Sequence, residues 1–155
     1  MQTENTFQTK LLRIFGAVFI LVLWLFVFNK FILPKLTSWN PFTGTYEETK
    51  IGLFFFAIIF APLWEELAWR WFPITLARQL KKHLGIELLW PIVVLSSIHF
   101  GWGHGFGPIS LLMQGIGGMA LSYVYIKNGF SYWSSVTMHA LWNLTVVFIL
   151  PAFCS

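Results

Sequence analysis

A long stretch without Asp, Glu, Lys or Arg runs from Leu88 to Ile126. A helix that crosses a membrane needs about 20 predominantly apolar residues, so this stretch is too long for one crossing and predicts two. The glycine-rich segment from Gly101 to Pro108 lies inside it and disfavours helix propagation, which predicts the turn between the two helices. A stretch of this length without a charged residue is expected to lie largely in lipid.

Three further apolar runs complete the predicted architecture. The first extends from Leu11 to Leu33, the second begins at Ile51 and continues towards a basic cluster at Arg78, and the last runs from Tyr132 to Leu150. A cleaved signal peptide is the rival interpretation of the first run, but the run is longer than the apolar core of such a peptide. We therefore expect an all-α fold, a polytopic membrane helical bundle of about five transmembrane helices.

The composition agrees with a membrane location. Hydrophobic residues make up 57% of the chain and charged residues 10%, with a mean hydropathy of +0.69, whereas a soluble domain usually carries about 25% charged residues. The loop from Pro34 to Lys50 is polar and contains Trp39 and Tyr46, as is typical of a membrane interface. We divide the chain into residues 1–50, an N-terminal transmembrane helix with an interfacial loop, and residues 51–155, a core that carries the polar site.

The net charge of +4 is modest, and the basic residues are spread among segment ends. This distribution suits lipid headgroups, and no nucleic-acid motif is present, so we expect membrane lipids and no nucleic acid as partners. If the N-terminus lies inside, six basic residues lie on the inner side of the membrane, and Lys30, Lys35 and Lys50 lie outside. This bias predicts a multi-pass protein of the cell membrane with a cytoplasmic N-terminus. The inner residues are Lys10, Arg13, Arg78, Lys81, Lys82 and Lys127.

Glu65 and Glu66 lie inside the second predicted span, whereas the other glutamates fall in loops or at helix ends. A charge near the bilayer centre costs at least about 2.5 kcal/mol on insertion scales, so an intramembrane acid is a functional hypothesis. Glu66 and Arg70 are four residues apart and share a helix face, which predicts a structural ion pair. Glu65 points about 100° away and has no such partner at helical spacing. The alternatives are a purely structural network of all three residues, or a helix end that lies among the lipid headgroups.

Three histidines lie in or next to the later predicted spans and are further candidates for the polar site. His139 and Asn143 are four residues apart in the last span, so both project from one stripe of a helix. His99 and His104 are five apart, about 140° on an ideal helix, so one straight helix cannot direct both at the same site. Because Phe100 and His104 share a face, His104 is the preferred candidate and His99 is kept as a secondary one.

The known chemistries of proteases that act inside membranes can be compared with these residues. An aspartyl site is excluded because the chain contains no Asp. A rhomboid-like serine site needs a GxSx elbow. No serine lies in such a turn apart from Ser131, which is followed by Tyr132 at the edge of a span and is therefore not favoured. The HExxH string of zinc peptidases is absent. A glutamate-centred site remains.

Three short motifs carry a resemblance to a known family. Glu65-Glu66-Leu67-Ala68-Trp69-Arg70 resembles the EExxxR motif of the CAAX protease and bacteriocin-processing family of intramembrane proteases. Phe100-Gly101-Trp102-Gly103-His104 resembles its FxxxH motif, and His139-Ala140-Leu141-Trp142-Asn143 its HxxxN motif. The three follow in order on different predicted spans. One full span precedes the first motif, where many members have more.

The resemblance implies an intramembrane endopeptidase that cleaves a hydrophobic or lipidated, CAAX-like peptide, and therefore a peptide or protein substrate as a further partner. It implies that Glu65, together with His104, activates a water as general base. His139 and Asn143 would donate hydrogen bonds to the oxyanion of the tetrahedral intermediate. Glu66 and Arg70 would then hold the second span in register.

Cofactor use and a non-enzymatic role are left open by the sequence. We expect that no cofactor is required, and the alternative is a zinc ion held by Glu65, His104 and His139. The alternative to an enzyme is a non-catalytic protein, either a bacteriocin self-immunity factor or a membrane scaffold. A third hypothesis is a small transporter or proton path that uses Glu65 and the histidines.

Overall fold

A computed structural model describes residues 6–32, 52, 54–105 and 107–149, and these residues form five consecutive helices without a β-strand. The prediction of an all-α helical bundle is therefore confirmed. Several helices contain π-helical segments, in which each N–H bonds to the carbonyl five residues earlier. The helices are α1 (Phe7–Val27, then π-helical Phe28–Ile32), α2 (π-helical Phe55–Phe60, Ala61–Glu66, π-helical Leu67–Trp71, Phe72–Leu84), α3 (Leu89–Gly103), α4 (Gly107–Ser110, π-helical Leu111–Gly115, Ile116–Lys127) and α5 (Tyr132–Leu144, then π-helical Thr145–Ile149).

The N-terminal helix α1 packs directly on the rest of the bundle. Its buried residues Leu21 and Leu25 form one apolar core with Leu121 of α4 and with Met138 and Trp142 of α5. The predicted interfacial loop, residues 34–50, and the C-terminal residues from 150 onward lie outside the described residues. The division of the chain at residue 50 stays a prediction.

Two stretches in the described residues are long and apolar enough to cross a membrane, namely Phe7–Val27 and Pro108–Lys127. α3 is apolar but shorter, with 15 residues. Large apolar side chains of α1 point away from the bundle, among them Phe15 and Phe19, which are 57% and 63% exposed. An exterior of this kind suits lipid better than water.

The glycine-rich turn joins α3 to α4 where the sequence predicts a break. α3 ends at Gly103 and α4 begins at Gly107. Ser110 Oγ donates a hydrogen bond to the carbonyl of Gly101 at 2.6 Å. A Cβ on Gly101 would lie 2.8 Å from the backbone nitrogen of Gly115, so the two helices touch through their backbones. This close approach fixes the position of α3 beside α4.

One end of the bundle is held together by basic side chains. Arg13 Nη1 of α1 donates to the carbonyl of Lys127 and to Asn128 Oδ1, the latter at 3.2 Å. The guanidinium of Arg78, near the end of α2, lies 3.9 Å from the ring centroid of Phe130. The start of α1, the end of α2 and the turn between α4 and α5 therefore lie at the same end.

Candidate active site

His139 on α5 lies between two carboxylates of α2. Its Nδ1 is 2.8 Å from Glu66 Oε1, and its Nε2 is 3.6 Å from Glu65 Oε2. The spacing within its own helix offers Glu65 no partner. His139 supplies one from α5, across the interface between the two helices. The structure brings together the glutamate pair of the second predicted span and the histidine of the last one.

The two glutamates differ in access and in partners. The side chain of Glu66 is 0% exposed and that of Glu65 is 25% exposed. Glu66 Oε1 is contacted by His139 and also by Arg70 Nη1 at 3.3 Å. A buried charge is tolerated only with such partners. Glu65 is the carboxylate that a water molecule or a substrate can reach.

Arg70 is buried behind the glutamates, with 1% of its side chain exposed. Its guanidinium lies 4.1 Å from the ring centroid of Phe100 on α3. A Cβ on Gly118 of α4 would lie 3.0 Å from Arg70 Nη2, so the absence of a side chain there provides room for the guanidinium. Gly118 was not a sequence candidate, because its spacing from the motifs carries no signal.

His104 caps the C-terminal end of α3, and its Nδ1 lies 2.7 Å from the carbonyl of Phe100. A carbonyl only accepts, so Nδ1 is the donor in this contact, and Nε2 is the acceptor in the corresponding neutral tautomer. The Phe100 ring lies between two imidazoles, 4.6 Å from His104 and 5.9 Å from His139 between centroids. Within the described residues, no hydrogen bond joins His104 to Glu65.

Two side chains of α5 bond to backbone carbonyls of α2. Asn143 Nδ2 donates to the carbonyl of Ala57 at 2.8 Å, and Tyr132 Oη donates to that of Leu63 at 2.6 Å. These bonds fix α5 against the helix that carries the glutamates. Tyr132 was not a sequence candidate, because a tyrosine at the start of a span is typical of the membrane interface.

His99 lies apart from this cluster. Its exposed ring packs edge-on against Trp69 at 4.6 Å between centroids, in an apolar groove of about 710 Å³ between α2 and α3. Phe72 and Trp102 also line the groove. The structure therefore places the secondary candidate in a groove that none of the other candidate site residues lines.

The donor set for zinc is not assembled in this arrangement. The described residues contain no group of three His, Cys, Asp or Glu side chains placed to hold a metal ion. Glu65 and His139 face each other, whereas the Nδ1 of His104 is engaged by the carbonyl of Phe100. A zinc site needs three or four converging ligands, so these residues do not fit one as they stand.

Residues 47–145 match a family model described as Rce1-like, type II CAAX prenyl endopeptidase Rce1-like. The matched region covers more than half of the chain and includes all three motifs. No curated protein and no solved structure matches the chain.

Proposed function

The chain belongs to the type II CAAX prenyl endopeptidase Rce1-like family, and on this premise we propose that it hydrolyses a peptide bond of a hydrophobic or lipidated, CAAX-like peptide in the membrane. The observation that carries the proposal is the cluster in which His139 faces both Glu65 and Glu66. Two carboxylates, a buried guanidinium and an imidazole are costly inside an apolar bundle. Peptide hydrolysis would use the carboxylate of Glu65 and the imidazole of His139, while the ion pair of Glu66 with Arg70 holds them in place.

Glu65 is the proposed general base. Its carboxylate is partly exposed, and Glu66 rather than Glu65 holds the short contact with Arg70. A water beside Glu65 gives up a proton to the carboxylate as its oxygen attacks the peptide carbon, and Glu65 then passes that proton to the leaving amine. Nε2 of His104 accepts a hydrogen bond from the same water and orients it.

His139 and Asn143 are the proposed donors to the oxyanion. Because Glu66 occupies Nδ1 of His139, the donor is the N–H at Nε2, which exists when the ring is doubly protonated. Hydrogen-bond donors aimed at the charge that develops on the carbonyl oxygen lower the barrier to peptide hydrolysis.

The reaction is tested with purified protein in liposomes and two synthetic peptides. One peptide ends in a CAAX box with a prenylated cysteine, and its twin lacks the prenyl group. We expect mass spectrometry to show cleavage of the prenylated peptide within the box, with one water added across the cut bond. Both peptides left intact by monodisperse protein would contradict the proposal. A cellular phenotype preserved in Glu65→Ala and His139→Ala at normal protein levels would favour the immunity or scaffold alternative.

The proposed mechanism needs no metal ion. We expect the rate of peptide cleavage to survive exhaustive treatment with a chelator, because Glu65 and His104 suffice to activate the water. The measurement compares the rate and the metal content before and after chelation. Stoichiometric zinc that is lost together with activity, and restores it when added back, would overturn the metal-free mechanism.

A further inference from the structure

Pro62 lies fully buried in α2 and has no N–H to donate. In the preceding π-helical segment, Phe55–Phe60, hydrogen bonds run to the carbonyl five residues earlier, and the N–H of Ala61 accordingly bonds to the carbonyl of Phe56. The next bond in this series would run from residue 62 to the carbonyl of Ala57. Because residue 62 is proline, the carbonyl of Ala57 has no donor at that position of its own helix.

Asn143 of α5 supplies the missing donor. Its Nδ2 lies 2.8 Å from the carbonyl of Ala57, a residue that is 9% exposed. In an apolar bundle no bulk water replaces such a bond, and an unpaired carbonyl there is costly. The amide nitrogen alone can donate, so this contact determines which end of the Asn143 amide faces α2. The second N–H of the same nitrogen remains for another acceptor.

We propose that Pro62 is a positioning residue for Asn143. By removing the donor that Ala57 would otherwise find in α2, Pro62 turns the Ala57 carbonyl into an anchor that holds the Asn143 amide in one orientation. Asn143 shares its helix face with His139, one turn away. The anchor follows from the hydrogen bonds alone, whereas its catalytic consequence rests on the proposed function, in which Asn143 stabilises the oxyanion.

The anchor is tested by a double-mutant cycle on stability. Asn143→Leu keeps the approximate size of the side chain and removes its donor. We expect it to lower the unfolding temperature by several degrees in the native background, and by less than half as much in Pro62→Ala, where the N–H of residue 62 bonds to the Ala57 carbonyl. Pro73→Ala, at the other internal proline of α2, is the matched control and leaves the effect of Asn143→Leu unchanged. Equal losses in the native and Pro62→Ala backgrounds would overturn the anchor.

The catalytic consequence is tested by the kinetics of Pro62→Ala. We expect kcat for the prenylated peptide to fall about tenfold while KM stays within a factor of about two, because a donor that has lost its orientation no longer stabilises the oxyanion. A merely structural proline would leave kcat of the folded protein unchanged, and that result would contradict the positioning role. Native protein that hydrolyses no peptide would refute the proposed function, while the unfolding temperatures still decide whether the anchor exists.

Discussion

His139 is the residue that links the buried carboxylate of Glu66 to the partly exposed carboxylate of Glu65. Its side chain is 4% exposed, and each ring nitrogen faces a different glutamate. The spacing within α2 predicts the contact of Glu66 with Arg70 but gives Glu65 no partner. Spacing within one helix carries no information on which neighbouring helix supplies a contact. The sequence therefore predicts which residues belong to the cluster, but it does not predict that His139 contacts both glutamates.

Arg70→Met tests the stability of this cluster. The substitution leaves the buried Glu66 without its guanidinium, and breaking a buried ion pair from one side typically costs about 3–5 kcal/mol. Reversible unfolding in mixed detergent micelles measures the loss. The control is Arg78→Met, which removes an exposed guanidinium from the Phe130 ring and should cost about 0.5–1 kcal/mol. Equal losses in the two variants would show that burial of Arg70 contributes nothing.

At the scale of the helices, the uncharged stretch predicted two elements and the place of their turn. α3 ends at Gly103 and α4 begins at Gly107, within the break that the glycines indicate. The π-helical segments could not be predicted, because a single wide turn has no hydrophobic period of its own. One of them, Leu67–Trp71, directly follows the two glutamates and alters the faces on which the next side chains lie.

Gly101→Ala tests the contact between α3 and α4. Its Cβ would lie 2.8 Å from the backbone nitrogen of Gly115 and 3.0 Å from Leu111 Cα, so the helices have to separate. We expect a loss of about 1–3 kcal/mol in the free energy of unfolding, as for an overpacked core. The control is Gly117→Ala, whose Cβ would meet nothing within 4 Å and should cause no loss. A neutral Gly101→Ala would mean that the two backbones are not in contact.

At the scale of the whole molecule, contacts place several of the basic residues at one end. Arg13 reaches the turn after α4, and Arg78 reaches Phe130 in that same turn. The resemblance to the CAAX protease family, seen in three motifs, is confirmed by the family match over residues 47–145. Orientation in the membrane stays a prediction, because the positive-inside bias is a property of insertion and not of packing.

Cysteine labelling measures that orientation. Glu87→Cys lies just before α3 and Gly103→Cys at its last residue, so the two positions are at opposite ends of one helix. Both variants are made in a Cys154→Ser background. An impermeant maleimide should label position 103 in intact cells, and it should label position 87 only after the cells are permeabilised. Labelling of position 87 in intact cells would place the N-terminus outside.

The central claim is that Glu65 is the base that activates water, and Glu65→Gln tests it most directly. This variant keeps the size of the side chain and removes its ability to take a proton. The matched control is Glu87→Gln, since Glu87 lies on the surface, where a hydrogen bond from Lys81 lowers its pKa. With both variants folded to the same unfolding temperature, we predict that Glu65→Gln abolishes cleavage of the prenylated peptide, a loss of at least about a hundredfold, while Glu87→Gln cleaves at the native rate. Cleavage by Glu65→Gln at the rate of Glu87→Gln would contradict the claim.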